Sequence, residues 1–170
     1  MNLLTCSEVT FKKHITEKPE DNFAKTFVAK ANLGNYWDRC YGFYDHGELC
    51  GAIITTISKS KTSPKIANLQ LLHTFSKHRR KGVAKALCNF SLKYALFHHA
   101  EYFRVSAEPS AVLFYKKIGF KMLGKQKSEA QLSMFRITGD TFKNGVYDIK
   151  DHIIHKAVHK KGRGGCIEIF

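Results

Sequence analysis

The stretch Leu69–Leu87 reads LQLLHTFSKHRRKGVAKAL. Its first part, with apolar Leu69, Leu71 and Leu72, belongs to a strand that the composition predicts over Ile66–Thr74. Its last part opens a helix. From Val83 to about His98 the apolar residues recur at helical spacing, at Val83, Leu87, Phe90 and Tyr94, with Ala84, Ala86, Ala95 and Phe97 beside them. Between strand and helix lies the basic turn His78-Arg79-Arg80-Lys81-Gly82. The first backbone N–H groups of a helix have no intrahelical partner, and the macrodipole adds positive potential there. An anion such as phosphate binds readily at such a place. Gly82 has no Cβ to obstruct close approach, and Ala84 is nearly as small. Arg79, Arg80, Lys81 and Lys85 contribute formal charge. The physics points to a pyrophosphate site, although a basic turn of this kind also serves as plain solvated surface. The turn is not a Walker A loop, since the first glycine and the Lys-Ser/Thr pair are missing, and it lacks the GxGxxG of a dinucleotide fold.

Working outward, Leu3–Cys6 reads as a short first strand. A helix is expected from Ser7 to Thr16, ended by Pro19. A second follows, capped by Asp21, running through Phe23, Phe27 and Lys30, and stopped at Gly34-Asn35. Cys40–Tyr44 and the β-branched Leu49–Ile57 read as a hairpin across Asp45-His46-Gly47-Glu48, with Gly47 supplying a positive φ. Ser58–Lys65 is polar and reads as a loop. After the Val83 helix come a strand at Tyr102–Ala107, a helix at about Ser110–Ile118 stopped by Gly119, and a final strand pair at Phe120–Leu123 and Gln131–Thr138. This order predicts a mixed α/β fold, a mostly antiparallel sheet with helices on both faces. The expected organisation is one domain over residues 1–138 and a short basic C-terminal extension over 139–170.

The 170 residues, 44% of them apolar, suffice for a core without staples. No apolar stretch is long enough to span a membrane, and the first residues do not read as a signal peptide, so a cytoplasmic location is expected. The five cysteines (Cys6, Cys40, Cys50, Cys88 and Cys166) form no CxxC pair, which predicts free thiols, with Cys88 in the core. Lys and Arg number 28 against 14 Asp and Glu, a formal net charge of +14. That excess attracts polyanions: nucleic acid, CoA phosphates or an acidic protein surface.

Arg79-Arg80-Lys81-Gly82-Val83-Ala84 resembles the Q/R-x-x-G-x-G/A motif of the GNAT N-acetyltransferases. Downstream, Ala111-Val-Leu-Phe-Tyr115-Lys-Lys-Ile-Gly119-Phe120 is similar to the A-x-x-F-Y-x-x-x-G-F segment of that superfamily. The two stand in the family's order, with one helix and one strand between them. The resemblance spans roughly Leu3–Thr138 and is densest over Leu69–Phe120. It implies a GNAT-type fold, acetyl-CoA as co-substrate and N-acetyltransferase activity. It implies that main-chain groups of Leu72 and Thr74 pair with pantetheine and the thioester carbonyl. It places Arg79, Arg80, Lys81, Gly82, Val83, Ala84 and Lys85 along the pyrophosphate. It gives Tyr115 the role of the acid that protonates the departing thiolate; a phenol with a pKa near 10 is protonated at neutral pH. The alternative for Tyr115 is a core aromatic.

The acceptor amine must lose a proton. Where some members carry a glutamate base this chain has Asn68, which cannot serve. His73 titrates in the right range, although strand alternation can point it away from the acceptor. Glu108 is a second candidate, at a position where many members have an asparagine; an ordered water chain is a third route. Three acceptor classes remain open: a nucleic-acid-borne amine such as aminoacyl-tRNA or a modified base, a protein amine, and a small amine. A basic cleft disfavours cationic small amines, unless the acids around Asp38, Asp45 and Glu48 reverse the local field. The rival reading is a nucleic-acid-binding module on a GNAT scaffold without catalysis. His152, His155 and His159 lie near one helical face, but no carboxylate or cysteine completes a metal site; with Lys150, Lys156, Lys160, Lys161 and Arg163 they read as a basic tail. The resemblance also allows a homodimer.

Overall fold

The computed structural model describes residues 2–5, 11, 13, 22–58, 65–122 and 131–138. The elements are β1 (Asn2–Thr5), α1 (Asn22–Leu33), β2 (Cys40–Asp45), β3 (Glu48–Ile57), β4 (Ile66–Thr74), α2 (Val83–Phe97), β5 (Tyr102–Ala107), α3 (Val112–Lys117), β6 (Lys121–Met122) and β7 (Leu132–Ile137). The mixed α/β class and the order of elements agree with the sequence reading. The helix expected over Ser7–Thr16 falls outside the described residues except for Phe11 and Lys13, which are helical. The cap at Asp21 and the extension over 139–170 also fall outside. By backbone proximity the chain forms two compact units, Met1–Thr56 with Leu69–Tyr94, and Ile57–Asn68 with Ala95–Phe170.

In the first unit the strands are neighbours in the order β1-β2-β3-β4. The pairs β1–β2 and β2–β3 are antiparallel. The β2–β3 hairpin closes at Asp45↔Glu48 through His46 (φ 48°) and Gly47 (φ 81°). Two successive positive φ values define a type I′ turn, whose twist matches that of the strands. The Gly47 half of this turn was legible in the sequence; His46 in the left-handed region was not. Further along, Phe43 pairs with Gly51 while Tyr44 pairs with Leu49, so Cys50 is an extra, bulged residue. Leu49 to Thr56 are buried throughout, as an apolar, β-branched run covered on both faces should be.

One face of this unit carries a core of Phe11, Ala24, Phe27, Val28, Ala31, Leu49, Ala52, Ile54 and Phe75, with Trp37 and Leu71 packed against it. Phe11 stacks on Phe27 at 4.5 Å between ring centroids. Helix α2 buries Val83, Leu87, Cys88, Ser91 and Leu92, and Ser91 Oγ shares a buried 2.8 Å hydrogen bond with Thr55 Oγ1. The buried stripe is therefore rotated from the one the apolar spacing suggested. Phe90 and Tyr94 are half-buried and pack around Tyr41 at 4.6 and 5.8 Å, and Phe97 is 79% exposed.

In the second unit the strand order is β5-β7-β6, both pairs antiparallel. Before α3 the chain makes a 3-10 turn at Pro109–Ala111, so the α-helix begins later than Ser110.

Three helices end by one device, the Schellman motif, in which a left-handed residue lets two N–H groups bond back to the last turn. At α1 the left-handed residue is Asn35 (φ 48°), with Asn35 N–H on Asn32 O at 3.1 Å and Tyr36 N–H on Ala31 O at 2.9 Å. At α2 it is His99 (φ 57°), with bonds to Leu96 O and Ala100 N–H on Ala95 O. At α3 it is Gly119 (φ 90°), with bonds to Lys116 O and Phe120 N–H on Tyr115 O. A left-handed conformation costs a residue with a Cβ about 1–2 kcal/mol, and glycine escapes that cost. His99 is exposed, so His99→Gly should raise stability by roughly 0.5–1 kcal/mol and the melting temperature by about 2 °C. His99→Val should lower both, as read by thermal unfolding followed by circular dichroism.

Candidate functional site

The end of β4 and the start of α2 are joined by Phe75, a 3-10 turn at Ser76–His78, and residues 79–82. The path is fixed first by β3. Phe75 N–H donates to Cys50 O at 3.1 Å. At Gly51 the backbones approach so closely that a Cβ would stand 2.6 Å from His73 O and 3.2 Å from Thr74 Cα. Only glycine tolerates that separation. The connection is then closed on itself: His78 N–H to Phe75 O at 2.8 Å, Arg79 N–H to Ser76 O at 3.3 Å, and Arg79 Nε to Thr74 O at 3.2 Å.

Arg80 (φ 60°) and Gly82 (φ 83°) are both left-handed, flanking Lys81. Alternation of backbone handedness turns successive N–H groups toward one side, which makes an anion-binding concavity. The first α2 bond is Ala86 N–H to Gly82 O at 2.9 Å. The N–H groups of Val83, Ala84 and Lys85 thus precede the helix ladder and have no intrahelical acceptor. A Cβ built on Gly82 would meet no protein atom within 4 Å; it would project into the space in front of the turn. Arg79, Arg80, Lys81 and Lys85 are exposed, Ala84 is half-buried, and Val83 is buried as the helix anchor. Among the described residues none of the four cations has an acidic partner. The residues present fit a pyrophosphate: unpaired N–H groups, a left-handed turn, uncompensated charge, and room.

The acids that were candidates to reverse this field are already engaged. Asp38 pairs with Arg39 at 3.3 Å, and Asp45 lies 3.8 Å from His46 Nε2. Glu48 takes a close ion pair from Lys77 Nζ, and its Oε1 is 3.4 Å from His78 Nε2. The bond from Lys77 holds the Glu48 carboxyl below the ordinary carboxylate range against the opposing effect of burial, with a lesser contribution from His78.

His73 and Leu72 point to opposite faces of β4 by strand alternation. His73 is buried, 4.9 Å from the Phe75 ring and 6.3 Å from that of Phe11. Leu72 and Thr74 are half-buried. The contact of His73 with Phe11 was not legible in the sequence, because the two residues lie far apart along the chain.

In the second unit, Tyr115 is buried and sits two residues before the end of α3. Its ring contacts Phe114 at 5.1 Å and Phe120 at 5.4 Å. Phe120 packs in turn on Phe103 at 5.5 Å. The spacing Phe114-Tyr115-x-x-x-Gly119-Phe120 is thus a helix stop: Tyr115 O receives the Phe120 N–H, and their rings make the hydrophobic contact that accompanies this cap. Glu108 is exposed, just after β5, and its carbonyl accepts from Ala111 N–H at 2.9 Å.

Cys40, Cys50 and Cys88 are free thiols and buried. Burial pushes the Cys88 thiol up to about 12 and raises that of Cys50 as well. Burial thus disfavours the thiolate, the nucleophilic form, at both positions. No group of three or more potential metal ligands occurs among the described residues, and His152, His155 and His159 lie outside them. No helix among the described residues is long and apolar enough to cross a membrane.

The model of the acetyltransferase (GNAT) domain family matches residues 10–138. Among curated proteins none matches significantly. Solved structures of the same fold include PaiA N-acetyltransferase from Thermoplasma acidophilum in complex with coenzyme A. It has TM-score 0.61 and 15% identity, over 80% of this chain and 98% of that one. Ard1 from Thermoplasma volcanium is similar with TM-score 0.59 and 20% identity, over 80% of this chain and 96% of that one. The NatC complex bound to Gag peptide and CoA aligns with TM-score 0.57 and 16% identity, over 81% of this chain and 99% of that one.

The Glu48 pairing sets a pH dependence. A carboxyl whose folded pKa lies below its unfolded value of about 4.3 stabilises the fold above that pH. The contribution is lost as pH falls through the lower, folded value. Glu48→Gln removes it, so the variant should lose stability less steeply than the wild type between about pH 5 and pH 3. Urea unfolding at a series of pH values checks this; since the pair is exposed, the difference should be small.

Proposed function

The chain belongs to the GNAT acetyltransferase family, and on that premise we propose that it moves the acetyl group of acetyl-CoA onto a primary amine by direct attack, the amine being carried by a macromolecule. The observation that carries this reading is the left-handed turn at Arg80–Gly82, opening α2 with unpaired N–H groups and four uncompensated cations. In this reading Arg79 to Lys85 hold the pyrophosphate, and main-chain groups of Leu72 and Thr74 hold pantetheine and polarise the thioester carbonyl. The bound co-substrate supplies an activated acetyl group. The amine nitrogen bonds to its carbonyl carbon, the C–S bond breaks, and the sulfur takes a proton from the Tyr115 hydroxyl. The raised thiols of Cys50 and Cys88 support transfer without an acyl-enzyme.

For the amine proton the reading assigns the exposed carboxylate of Glu108 ahead of His73, whose ring is enclosed by Phe11 and Phe75. The net charge of +14 favours an acceptor on a polyanion, with a nucleic-acid-borne amine (aminoacyl-tRNA or a modified base) first. A protein amine comes second, on the likeness to the peptide-bound NatC complex. The unbridged thiols suit a reducing compartment, so the reading places the protein in the cytoplasm. Nothing among the described residues favours a catalytically inactive nucleic-acid-binding scaffold.

Two variants test the reading. Gly82→Asp puts an anion where the pyrophosphate should sit and forces a Cβ into φ +83°. Acetyl-CoA binding by calorimetry should be lost, and retained binding would remove the turn from the site. Tyr115→Phe keeps the ring packing and deletes only the hydroxyl. With any accepted amine, kcat should fall by about 10²-fold or more at unchanged KM for acetyl-CoA. An unchanged kcat would leave Tyr115 as a packing residue.

A further inference from the structure

Glu48 stands at the start of β3, immediately after the His46-Gly47 turn, and is remote in sequence from the basic turn. Its carboxylate nevertheless meets the Ser76–His78 connector, through the close ion pair with Lys77 and with Oε1 lying 3.4 Å from His78 Nε2. His78 is buried, and its Nε2 has no hydrogen-bond partner among the described residues, leaving Glu48 as the charge it faces. Immediately beyond this connector the backbone adopts two left-handed residues within three positions, one of them Arg80, which pays the Cβ penalty. Such backbone persists only where its surroundings over-determine it. The surroundings here are few. Phe75 N–H bonds to Cys50 O, His78 N–H to Phe75 O, Arg79 N–H to Ser76 O and Arg79 Nε to Thr74 O, and Glu48 pairs with Lys77 and lies beside His78. No side-chain bond holds residues 80–82 themselves among the described residues.

We propose that Glu48 is a positioning residue for acetyl-CoA: through Lys77 and His78 its carboxylate holds residues 76–82 in the conformation that receives the pyrophosphate. This rests on the reading of that turn as the pyrophosphate site. Electrostatics alone demands the opposite sign. Glu48 is a negative charge near an anion site and neutralises Lys77, so its removal would strengthen binding if field were all that mattered. Positioning demands that its removal weaken binding, and the sign of the change separates the two.

The test is acetyl-CoA titration by calorimetry into the full chain as wild type, Glu48→Gln, Lys77→Gln, the double variant and Gly82→Asp, at low and high salt, with melting temperatures recorded. Glu48→Gln should weaken binding by about fivefold, the most an exposed ion pair can impose. The loss should shrink at high salt, which screens the exposed pair, and the double variant should bind no more weakly than the weaker single variant, because both remove one interaction. A general loss of stability would lower the melting temperature without changing the dissociation constant of the folded fraction. Unchanged or tighter binding in Glu48→Gln, with Gly82→Asp abolishing binding, overturns the proposal alone. Binding that survives Gly82→Asp overturns the reading of the turn and this proposal with it. Should Glu48→Gln fail to fold, Glu48→Asp keeps the charge with a shorter reach. Weaker binding in that variant supports the proposal, and undiminished binding overturns it.

Discussion

The separation of β3 from β4 at Gly51 is the constraint on which the first unit depends. With a Cβ position only 2.6 Å from His73 O, no other residue lets the two backbones come together there. The bulge at Cys50 and the Phe75–Cys50 bond lie immediately beside this contact. Together they set where β4 ends, and so where the chain must turn to enter α2. The left-handed pair Arg80 and Gly82 follows from that geometry. The chain has only the few residues after Phe75 in which to reverse, and α2 must begin with Val83 buried. The conformation that exposes the N–H groups is the same one that makes the reversal.

The two family-like segments have distinct physical meanings. The basic segment at 79–84 offers backbone donors and charge, a binding function. The segment at 111–120 first of all stops a helix. Gly119 supplies the positive φ, Phe120 returns its N–H to Tyr115 O, and the two rings pack. Tyr115 therefore serves the fold whatever its hydroxyl does. The same cap recurs at Asn35 and His99 without glycine, which shows how far a helix end can depart from the glycine signal while keeping the bonds.

Charge is distributed in the same selective way. Asp38 and Asp45 lie against the basic side chain next in sequence and Glu48 against the distant Lys77, whereas Arg79, Arg80, Lys81 and Lys85 have no such partner among the described residues. Four uncompensated cations thus stand at the opening of α2, where the helix dipole adds to their field.

Much of this was determined by the sequence alone. Strand and helix periodicity, the Gly47 and Gly119 stops and the basic turn at Gly82 are local signals, and local backbone preference is what a sequence encodes directly. Tertiary structure decided the rest. It placed His73 against Phe11, a residue far away in sequence, beside Phe75. It rotated the buried stripe of α2 toward Cys88 and Leu92, and left Phe97 exposed. It brought Glu48 to Lys77 and His78, and put His46, Arg80 and His99 in the left-handed region. Each of these depends on residues distant in sequence or on a close backbone approach, and propensity carries no record of which strand will lie beside which.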